Sequence, residues 1–257
     1  MITTDQLKSL RDETGVSVMQ CKKALEEAGG DIEKARIILK KKSGDAAAKK
    51  ADREIGAGTI ASIQKEEGTA VVALLCETDF VAKNEDFLQA AKNLADKALT
   101  SGKESVIAET EMINSLIQKV GENVKLGEVI VVKSPNSSVY NHNGQYASVI
   151  ELKENNGTLA HDIAMHATAM RPTYLKETDI PDEAKEKAKE IFQKEVDETS
   201  ADKPEDMKAK ILEGKINAYF KEQILLKQAF IKDPNKTIEQ LLKENNNEII
   251  SFNLVQI

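Results

Sequence analysis

Cysteine is scarce in this sequence of 257 residues, which contains only Cys21 and Cys76. Two cysteines cannot build the set of disulfides that stabilises many small secreted domains. They also lie far apart, and their separation matches none of the short spacings with which paired cysteines hold zinc. We therefore expect two buried thiols in a protein of a reducing compartment.

The sequence also lacks a long apolar run and an excess of basic residues. Nowhere do about 18 apolar residues follow one another, and Met1–Asp5 does not begin a basic and apolar leader. The 36 Lys and Arg residues stand against 43 Asp and Glu residues, giving a net charge of −7. Binding to phosphates needs a clustered basic face, so this balance suits a protein partner better than nucleic acid. We expect a cytoplasmic protein that binds neither membranes nor nucleic acid directly.

Sequence motifs of common enzyme classes are missing as well. There is no phosphate-binding glycine loop and no Gly-x-Ser-x-Gly nucleophile turn. His161 and His166 would lie about 140° apart on a helix, so they cannot share one metal ion. Asp162 and His166 could share one, but without an adjacent third ligand they favour a helix-surface pair. We expect no catalytic residue, no metal and no cofactor.

One segment joins an apolar run to a short polar turn and an aromatic residue. The five aliphatic residues 71–75 predict a strand buried on both faces, and Glu77-Thr78-Asp79 marks its end. Apolar residues spaced three and four apart then predict an amphipathic helix over residues 82–99. Phe80 would lie at the corner between them, either as an anchor for a pocket on a partner protein or as a plug for its own core.

The remaining patterns predict an α+β protein assembled from several parts. Caps and glycines divide the first part into three short helices, and a basic, alanine-rich linker with partial helicity follows. A strand hairpin followed by a helix occurs twice, which suggests two similar α+β halves with antiparallel sheets. Two narrow apolar stripes predict an inserted antiparallel helical hairpin of coiled-coil type. The expected parts are a three-helix module at 1–42, a linker at 43–57, one half of the core at 58–134, its other half at 135–180 and 223–257, and the helical hairpin at 181–222.

Five short motifs, taken in their order along the chain, resemble those of the bacterial elongation factor Ts family. They are Leu10-Arg11-Asp12-Glu13-Thr14-Gly15, Cys21-Lys22-Lys23-Ala24-Leu25, Thr78-Asp79-Phe80-Val81, Ile163-Ala164-Met165-His166 and Asp233-Pro234-Asn235-Lys236-Thr237. The members of this family are guanine-nucleotide exchange factors for elongation factor Tu. The resemblance implies that the first three helices adopt the ubiquitin-associated (UBA) type of fold.

The resemblance also implies a function without catalytic chemistry of the protein's own. The protein would bind elongation factor Tu carrying GDP, promote GDP release, and stabilise the nucleotide-free form until GTP binds. The central residues would be Thr78, Asp79, Phe80 and Val81. Phe80 would push between helices of the partner's nucleotide domain, while Asp79 would help to disturb the Mg²⁺ shell. Loss of this ion removes the main counter-charge of the diphosphate. A homodimer or a 2:2 assembly with the partner stays open.

Further partner contacts are implied at two places in the second half of the core. His142 corresponds to the family's partner-facing histidine on the second strand hairpin. It can also be an exposed turn residue, because Ala147 replaces a glycine of the family pattern. Met165 and His166 lie on a predicted helix, where packing and partner contact are both open.

The first module would supply a docking segment. The matching positions are Leu10, Arg11, Thr14, Gly15 and Lys22. Leu10 can also be a core residue, whereas Arg11 and Lys22 are the better candidates for contact. A docking role would fit the small size of the module, which is too small for a catalytic core.

Two other classes of function provide alternatives. The protein could be a generic binding scaffold whose UBA-like module recognises a ubiquitin-like partner. It could also be an enzyme, although the missing motifs speak against this class. Some members of the family place a C-terminal helix on the partner, and we expect no counterpart of it after the last predicted strand, 248–255.

Overall fold

The computed structural model describes residues 2–200 and 203–257. Met1, in the predicted three-helix module, and residues 201–202, in the predicted helical hairpin, lie outside the described residues. The chain divides into two compact units. Unit 1 comprises Met1–Pro135, Asn141–Ala147 and Val255–Ile257, and unit 2 comprises Asn136–Tyr140 and Ser148–Leu254. Both units combine helices with a small sheet, which confirms the predicted α+β class.

Unit 1 begins with three helices, as predicted. They are α1 (Thr4–Thr14), α2 (Val18–Glu27) and α3 (Ile32–Ala48). Thr3 and Gln6 form the predicted capping box at the start of α1, and the side chain of Asp31 caps α3. Apolar residues from all three helices enclose a small core around Leu10 and Leu25. Helix α3 runs six residues past the predicted end of the module, since the alanines at 46–48 favour helix.

An antiparallel sheet forms the centre of unit 1. The elements that follow α3 are β1 (Ala57–Lys65), β2 (Gly68–Cys76), α4 (Asp79–Ala82), α5 (Glu85–Ser101), α6 (Lys103–Ile107), α7 (Thr110–Val120) and β3 (Val124–Val132). The strand order is β1-β2-β3, and the central strand β2 is buried almost throughout, as predicted. Helix α5 packs on β1 and β2 with Phe87 and Leu94 in the core. Helix α6 was not predicted, because its five residues are too few to show a periodicity.

The three N-terminal helices pack on the rest of unit 1 through α7. Helices α3 and α7 pack against each other. Lys40 Nζ lies 2.7 Å from a carboxylate oxygen of Glu111, and Gln118 Nε2 donates a hydrogen bond of 3.1 Å to Gln20 Oε1. The predicted linker, residues 43–57, therefore begins as the last part of α3. It follows helices that already pack on α7.

The second strand hairpin consists of β4 (Ser137–His142) and β5 (Tyr146–Leu152) and turns at the predicted residues. Asn143 and Gly144 have φ angles of 54° and 69°, the left-handed conformation that a tight two-residue hairpin turn requires. Helix α8 (Gly157–Met170) follows and ends before Pro172, also as predicted. Its buried face forms the core of unit 2 together with β5.

The predicted antiparallel helical hairpin consists of α9 (Asp182–Thr199) and α10 (Glu205–Gln223). The rings of Phe192 and Tyr219 lie 5.5 Å apart, and Lys215 Nζ lies 2.7 Å from a carboxylate oxygen of Glu195. Residues further along α9 thus face residues earlier in α10, which confirms the antiparallel direction. At the base, apolar side chains from both helices and their flanking residues form a separate cluster, consisting of Ile180, Ala188, Phe220 and Ile224.

The chain ends with short elements of unit 2 and a closing strand. They are β6 (Ala229–Phe230), β7 (Asp233–Thr237), α11 (Ile238–Glu244) and β8 (Ile249–Gln256). The order of the second sheet is β4-β5-β8, so the last strand closes a sheet as predicted. The small β6–β7 pair was not predicted. In the described part of the chain, no helix is long and apolar enough to cross a membrane.

Candidate functional site

The polar segment after β2 forms a helical turn of its own. Thr78 is the N-cap of α4, and its Oγ1 accepts a hydrogen bond of 3.4 Å from the Val81 N–H. The chain then breaks, and Asn84 caps α5 by accepting bonds from two backbone N–H groups. The predicted amphipathic helix is therefore confirmed as α5, but it begins at Glu85 and not at residue 82. An asparagine followed by two acidic residues is a helix-start signal that could have revealed the break.

Phe80 projects from α4 into solvent. Its exposed fraction is 83%, whereas Phe87, one element later, is fully buried at 0%. The interpretation of Phe80 as a plug for its own core is therefore wrong. Aromatic side chains that fill a pocket on a partner are frequent among the residues that dominate binding energy.

Asp79 lies beside Phe80 and carries a negative charge at neutral pH. Its carboxylate accepts a hydrogen bond of 2.7 Å from Lys83 Nζ, and both side chains are exposed. This hydrogen bond, together with the charge of Lys83, holds the pKa of Asp79 below its usual value. Val81, the last residue of the motif, is half-buried and packs against the core of unit 1.

The tip of the β4–β5 hairpin and the helix α4 line the same groove. The groove belongs to unit 1 and has a volume of about 560 Å³. Its lining includes Asp79 and Lys83 on one side and Asn143 and Gln145 on the other. His142, the residue before Asn143, is exposed. The groove thus brings the predicted acidic residue together with the turn that follows His142, the predicted partner-facing residue.

Several hydrogen bonds to β1 hold the hairpin tip in place. Asn141 Nδ2 donates a hydrogen bond of 2.8 Å to the carbonyl of Ile60, and the Ile60 N–H donates one of 2.7 Å to the carbonyl of Gly144. A Cβ atom at Gly144 would lie only 2.8 Å from Thr59 Oγ1. Glycine at this position therefore permits both the turn conformation and the close approach to β1.

The docking residues predicted in α1 and α2 divide by burial. Leu10 is fully buried, which gives it a packing role, while Arg11 and Lys22 are exposed. Thr14 Oγ1 donates a hydrogen bond of 2.6 Å to the carbonyl of Leu10, and Gly15 ends α1 with a φ of 65°. Only the two basic side chains of this group therefore offer charge on an exposed helix face.

The pairing of Asp162 with His166 on a helix surface was wrong. Asp162 instead binds Lys232, with 2.7 Å between its carboxylate and Nζ. His166 is fully buried, so it lies in the core of unit 2 and not on its surface. Met165, its neighbour, is half-buried. In the described residues, no cluster of three or more histidine, cysteine or acidic residues is arranged to hold a metal ion.

The buried His166 ring satisfies both of its nitrogens. Nε2 lies 3.0 Å from the side-chain oxygen of Gln228, and Nδ1 accepts a hydrogen bond of 3.2 Å from the Ile231 N–H. This pattern requires a neutral ring with its proton on Nε2. Burial lowers the pKa of His166, and the bond to Gln228 opposes this only in part. The ring joins α8 to the chain just before and after β6.

The sequence reasoning missed the carboxylate that supports the α4 segment. Glu122, between α7 and β3, accepts hydrogen bonds from the backbone of residues 77 and 78 and from the hydroxyl of Thr78. No local pattern reveals such a contact, because its partners lie more than forty residues apart in the sequence. Both cysteines are free and buried, as predicted. Burial raises the pKa of Cys76 to about 11, so this thiol stays protonated and donates to the carbonyl of Thr78.

Comparisons with known proteins give one consistent result. The family model described as "Elongation factor TS" matches residues 77–257. A protein named "Elongation factor Ts" from Hydrogenobaculum sp. (strain Y04AAS1) is 36% identical over 98% of this chain and 97% of its own length. Proteins of the same name from Burkholderia thailandensis and Hahella chejuensis are 35% and 36% identical, over 98% of this chain and 89% and 90% of their own lengths.

Proposed function

Because the chain belongs to the elongation factor Ts family, we propose that this translation elongation factor binds elongation factor Tu carrying GDP and accelerates release of the nucleotide. The observation that carries the proposal is the exposure of Phe80, at 83%, next to the ionised Asp79 on a short helix. An aromatic side chain held outside its own core is available to enter a partner.

Phe80 acts as a wedge in this proposal. It enters between helices of the partner's nucleotide domain and stabilises the form in which the nucleotide site is distorted. A protein that binds the nucleotide-free form more tightly than the GDP-bound form must, by reciprocity, weaken GDP binding by the same factor. The factor therefore needs no catalytic residue, and we propose that it is not an enzyme.

Asp79 acts on the Mg²⁺ site of the partner. Its negative charge, brought close to the ion's water and side-chain shell, competes for the groups that hold the ion. Departure of Mg²⁺ removes the main counter-charge of the diphosphate, and GDP then dissociates faster. Lys83 forms an exposed ion pair with Asp79 in the free protein, and it must give up part of this ion pair when Asp79 enters the complex.

Affinity comes from surfaces on either side of the wedge. His142 is exposed just before the hairpin turn that lines a groove with Asp79, and exposed Arg11 and Lys22 lie on the N-terminal helices. We propose that residues 1–42 act as a docking module and that several separate contacts together raise the effective concentration of the wedge at its target. The partner is a protein in the cytoplasm, and neither nucleic acid nor a membrane is required.

The experiment that tests this function measures the release of fluorescent GDP from elongation factor Tu. Addition of the purified protein should increase the release rate with a saturating concentration dependence. If the protein binds elongation factor Tu without changing the release rate, it is a binding scaffold and the proposal is wrong. Light scattering on the same mixtures distinguishes a 1:1 complex from a homodimer or a 2:2 assembly.

A further inference from the structure

The carboxylate of Glu122 binds the first residues of the wedge segment at three points. One oxygen, Oε2, accepts hydrogen bonds of 3.1 Å and 3.0 Å from the N–H groups of Glu77 and Thr78. The other oxygen, Oε1, accepts a bond of 2.6 Å from the hydroxyl of Thr78. Hydrogen bonds to an ionised acceptor are roughly twice as strong as those between neutral groups. A single side chain thus fixes both the backbone and the cap of α4.

The neighbouring residue strengthens the same attachment from the opposite direction. The Asn123 N–H donates a hydrogen bond of 2.6 Å to Glu77 Oε1. The buried side chain of Asn123 donates to the carbonyls of Ala51 and Arg53, at 3.3 Å and 3.0 Å. Residues 77–78 and 122–123 therefore exchange hydrogen bonds, and this pair is anchored to the segment that precedes β1.

Packing alone does not fix the direction of Phe80. Its side chain is exposed, and among its neighbours on α4 only Ala82 is buried and Val81 half-buried. These two residues hold the end of the turn, but a helix of four residues is too short to be stable without further support. The start of the turn is held by hydrogen bonds to Glu122 and Asn123.

We propose that Glu122 is a positioning residue for nucleotide exchange: it holds α4 in the orientation that points Phe80 and Asp79 at the partner. This inference rests on the proposed function. A wedge whose direction is set before binding avoids the entropic cost of ordering it in the complex. Glu122 acts through residues 77–80, so its removal should affect the exchange step and leave the docking contacts unchanged.

The test compares Glu122→Ala with Glu122→Gln. Alanine removes all three bonds to Glu122. Glutamine keeps an oxygen for the two backbone N–H groups, and its amide nitrogen can donate to the Thr78 hydroxyl, which accepts as well as donates. Thr78 is exposed and Glu77 is half-buried, so water can reach the groups that lose their partner, and urea unfolding should show that Glu122→Ala is folded. Glu151→Ala, which removes a single bond of 2.9 Å to Ser251 in unit 2, is the matched control.

We expect Glu122→Ala to lower the maximal GDP-release rate about tenfold, with Glu122→Gln within about threefold of the wild type. The factor concentration at half-maximal rate should stay unchanged within about twofold, because a residue needed only in the exchange step changes the rate and not the binding. Glu151→Ala should match the wild type in both quantities.

A double variant shows whether Glu122 acts through the wedge. Once Phe80→Ala has removed the side chain, adding Glu122→Ala should change the release rate by less than about twofold, since the two residues belong to one unit. If Glu122→Ala equals the wild type, or lowers the rate by the same factor with and without Phe80, the positioning role is wrong. A wild-type protein that fails to accelerate release would instead overturn the proposed function.

Discussion

Large apolar side chains are usually buried in proteins, and titratable side chains are usually exposed. Phe80 in unit 1 departs from the first rule, and His166 in unit 2 departs from the second. Each unit combines a three-stranded sheet with a helix that packs on it, and both residues belong to motifs that resemble one family. Unit 1 exposes a large apolar ring, whereas unit 2 buries a titratable one. The exposed ring has no internal packing role, and the buried ring has hydrogen-bond partners at both nitrogens. The motifs of this family therefore contain both exposed residues that are available for binding and buried residues that support the fold.

The largest effect on exchange should come from Phe80→Ala. We expect GDP release at a fixed, limiting concentration of the factor to fall by about 30-fold or more, the loss typical of a residue that dominates an interface. The free energy of unfolding should change by less than about 0.5 kcal/mol, because the side chain is exposed in the free protein. Phe87→Ala is the matched control, since the same truncation in the core should cost about 3–5 kcal/mol of stability.

Stopped-flow release of fluorescent GDP and urea unfolding measure the two quantities for both variants. An unfolded Phe80→Ala protein would show that the ring supports the fold. Phe80 would then support the fold as His166 does, and the difference between the exposed ring of unit 1 and the buried ring of unit 2 would not separate two roles.

The next largest effect should be on stability, from His166→Asn. The shorter side chain keeps an acceptor near the position of Nδ1 but loses the bond to Gln228, so we expect a loss of about 1–3 kcal/mol. GDP release should remain within about twofold of the wild type at a temperature where both proteins are folded, since His166 is buried. Urea unfolding at pH 7.5 measures the stability. A fully stable variant with slow release would instead make His166 a partner-binding residue.

The same residue predicts how stability depends on pH. Its pKa is lowered in the folded protein, so the unfolded chain takes up the proton at a higher pH. The stability from neutral His166 is therefore fully present above about pH 6.5 and is lost as the pH falls. Between pH 6.5 and pH 5 this amounts to at most about 2 kcal/mol, since one pH unit per proton is worth about 1.4 kcal/mol. His166→Asn should abolish this part of the pH dependence.

Most of the fold could be predicted because its signals are local. The Asn143-Gly144 turn, the capping box of Thr3 and the apolar stripes of α9 and α10 each depend on residues a few positions apart. Predictions failed where a decisive partner is distant or an element is very short. Helix α6 and the β6–β7 pair contain too few residues to show a period.

The candidate site follows the same division. Motif resemblance pointed to Asp79 and Phe80, but neither spacing nor composition could decide whether Phe80 is exposed. The helix that carries Phe80 ends before Asn84, and the carboxylate that binds its cap belongs to Glu122, which lies 44 residues from Thr78. His166 shows the reverse case: its helix was predicted correctly, yet its burial depends on Gln228 and Ile231 more than sixty residues later.

A smaller effect should come from Arg11→Glu. Arg11 is exposed on α1 and belongs to the proposed docking surface, so reversal of its charge should raise the concentration of factor needed for half-maximal release about tenfold. The maximal rate should stay the same, because the wedge is untouched. Lys8→Glu, an equal charge reversal at an exposed position of the same helix, is the control. Equal effects of both variants would indicate general electrostatics and no specific docking by Arg11.

The smallest effect on exchange should come from shortening the helical hairpin. The structure suggests a cut that replaces residues 193–218 with a short Gly-Ser link, since the rings of Phe192 and Tyr219 are 5.5 Å apart and can be joined without strain. This cut keeps the four buried residues of the basal cluster and removes only Ile216 from the side chains packed against them, whereas removal of Asp182–Ala218 would also remove Ala188. The excised part contributes neither Phe80, Asp79 nor any residue of the 560 Å³ groove.

We therefore expect GDP release within about twofold of the wild type and a change in light scattering only if the hairpin forms a dimer. A shortened protein that remains folded and binds elongation factor Tu but does not release GDP would place the hairpin in the exchange machinery.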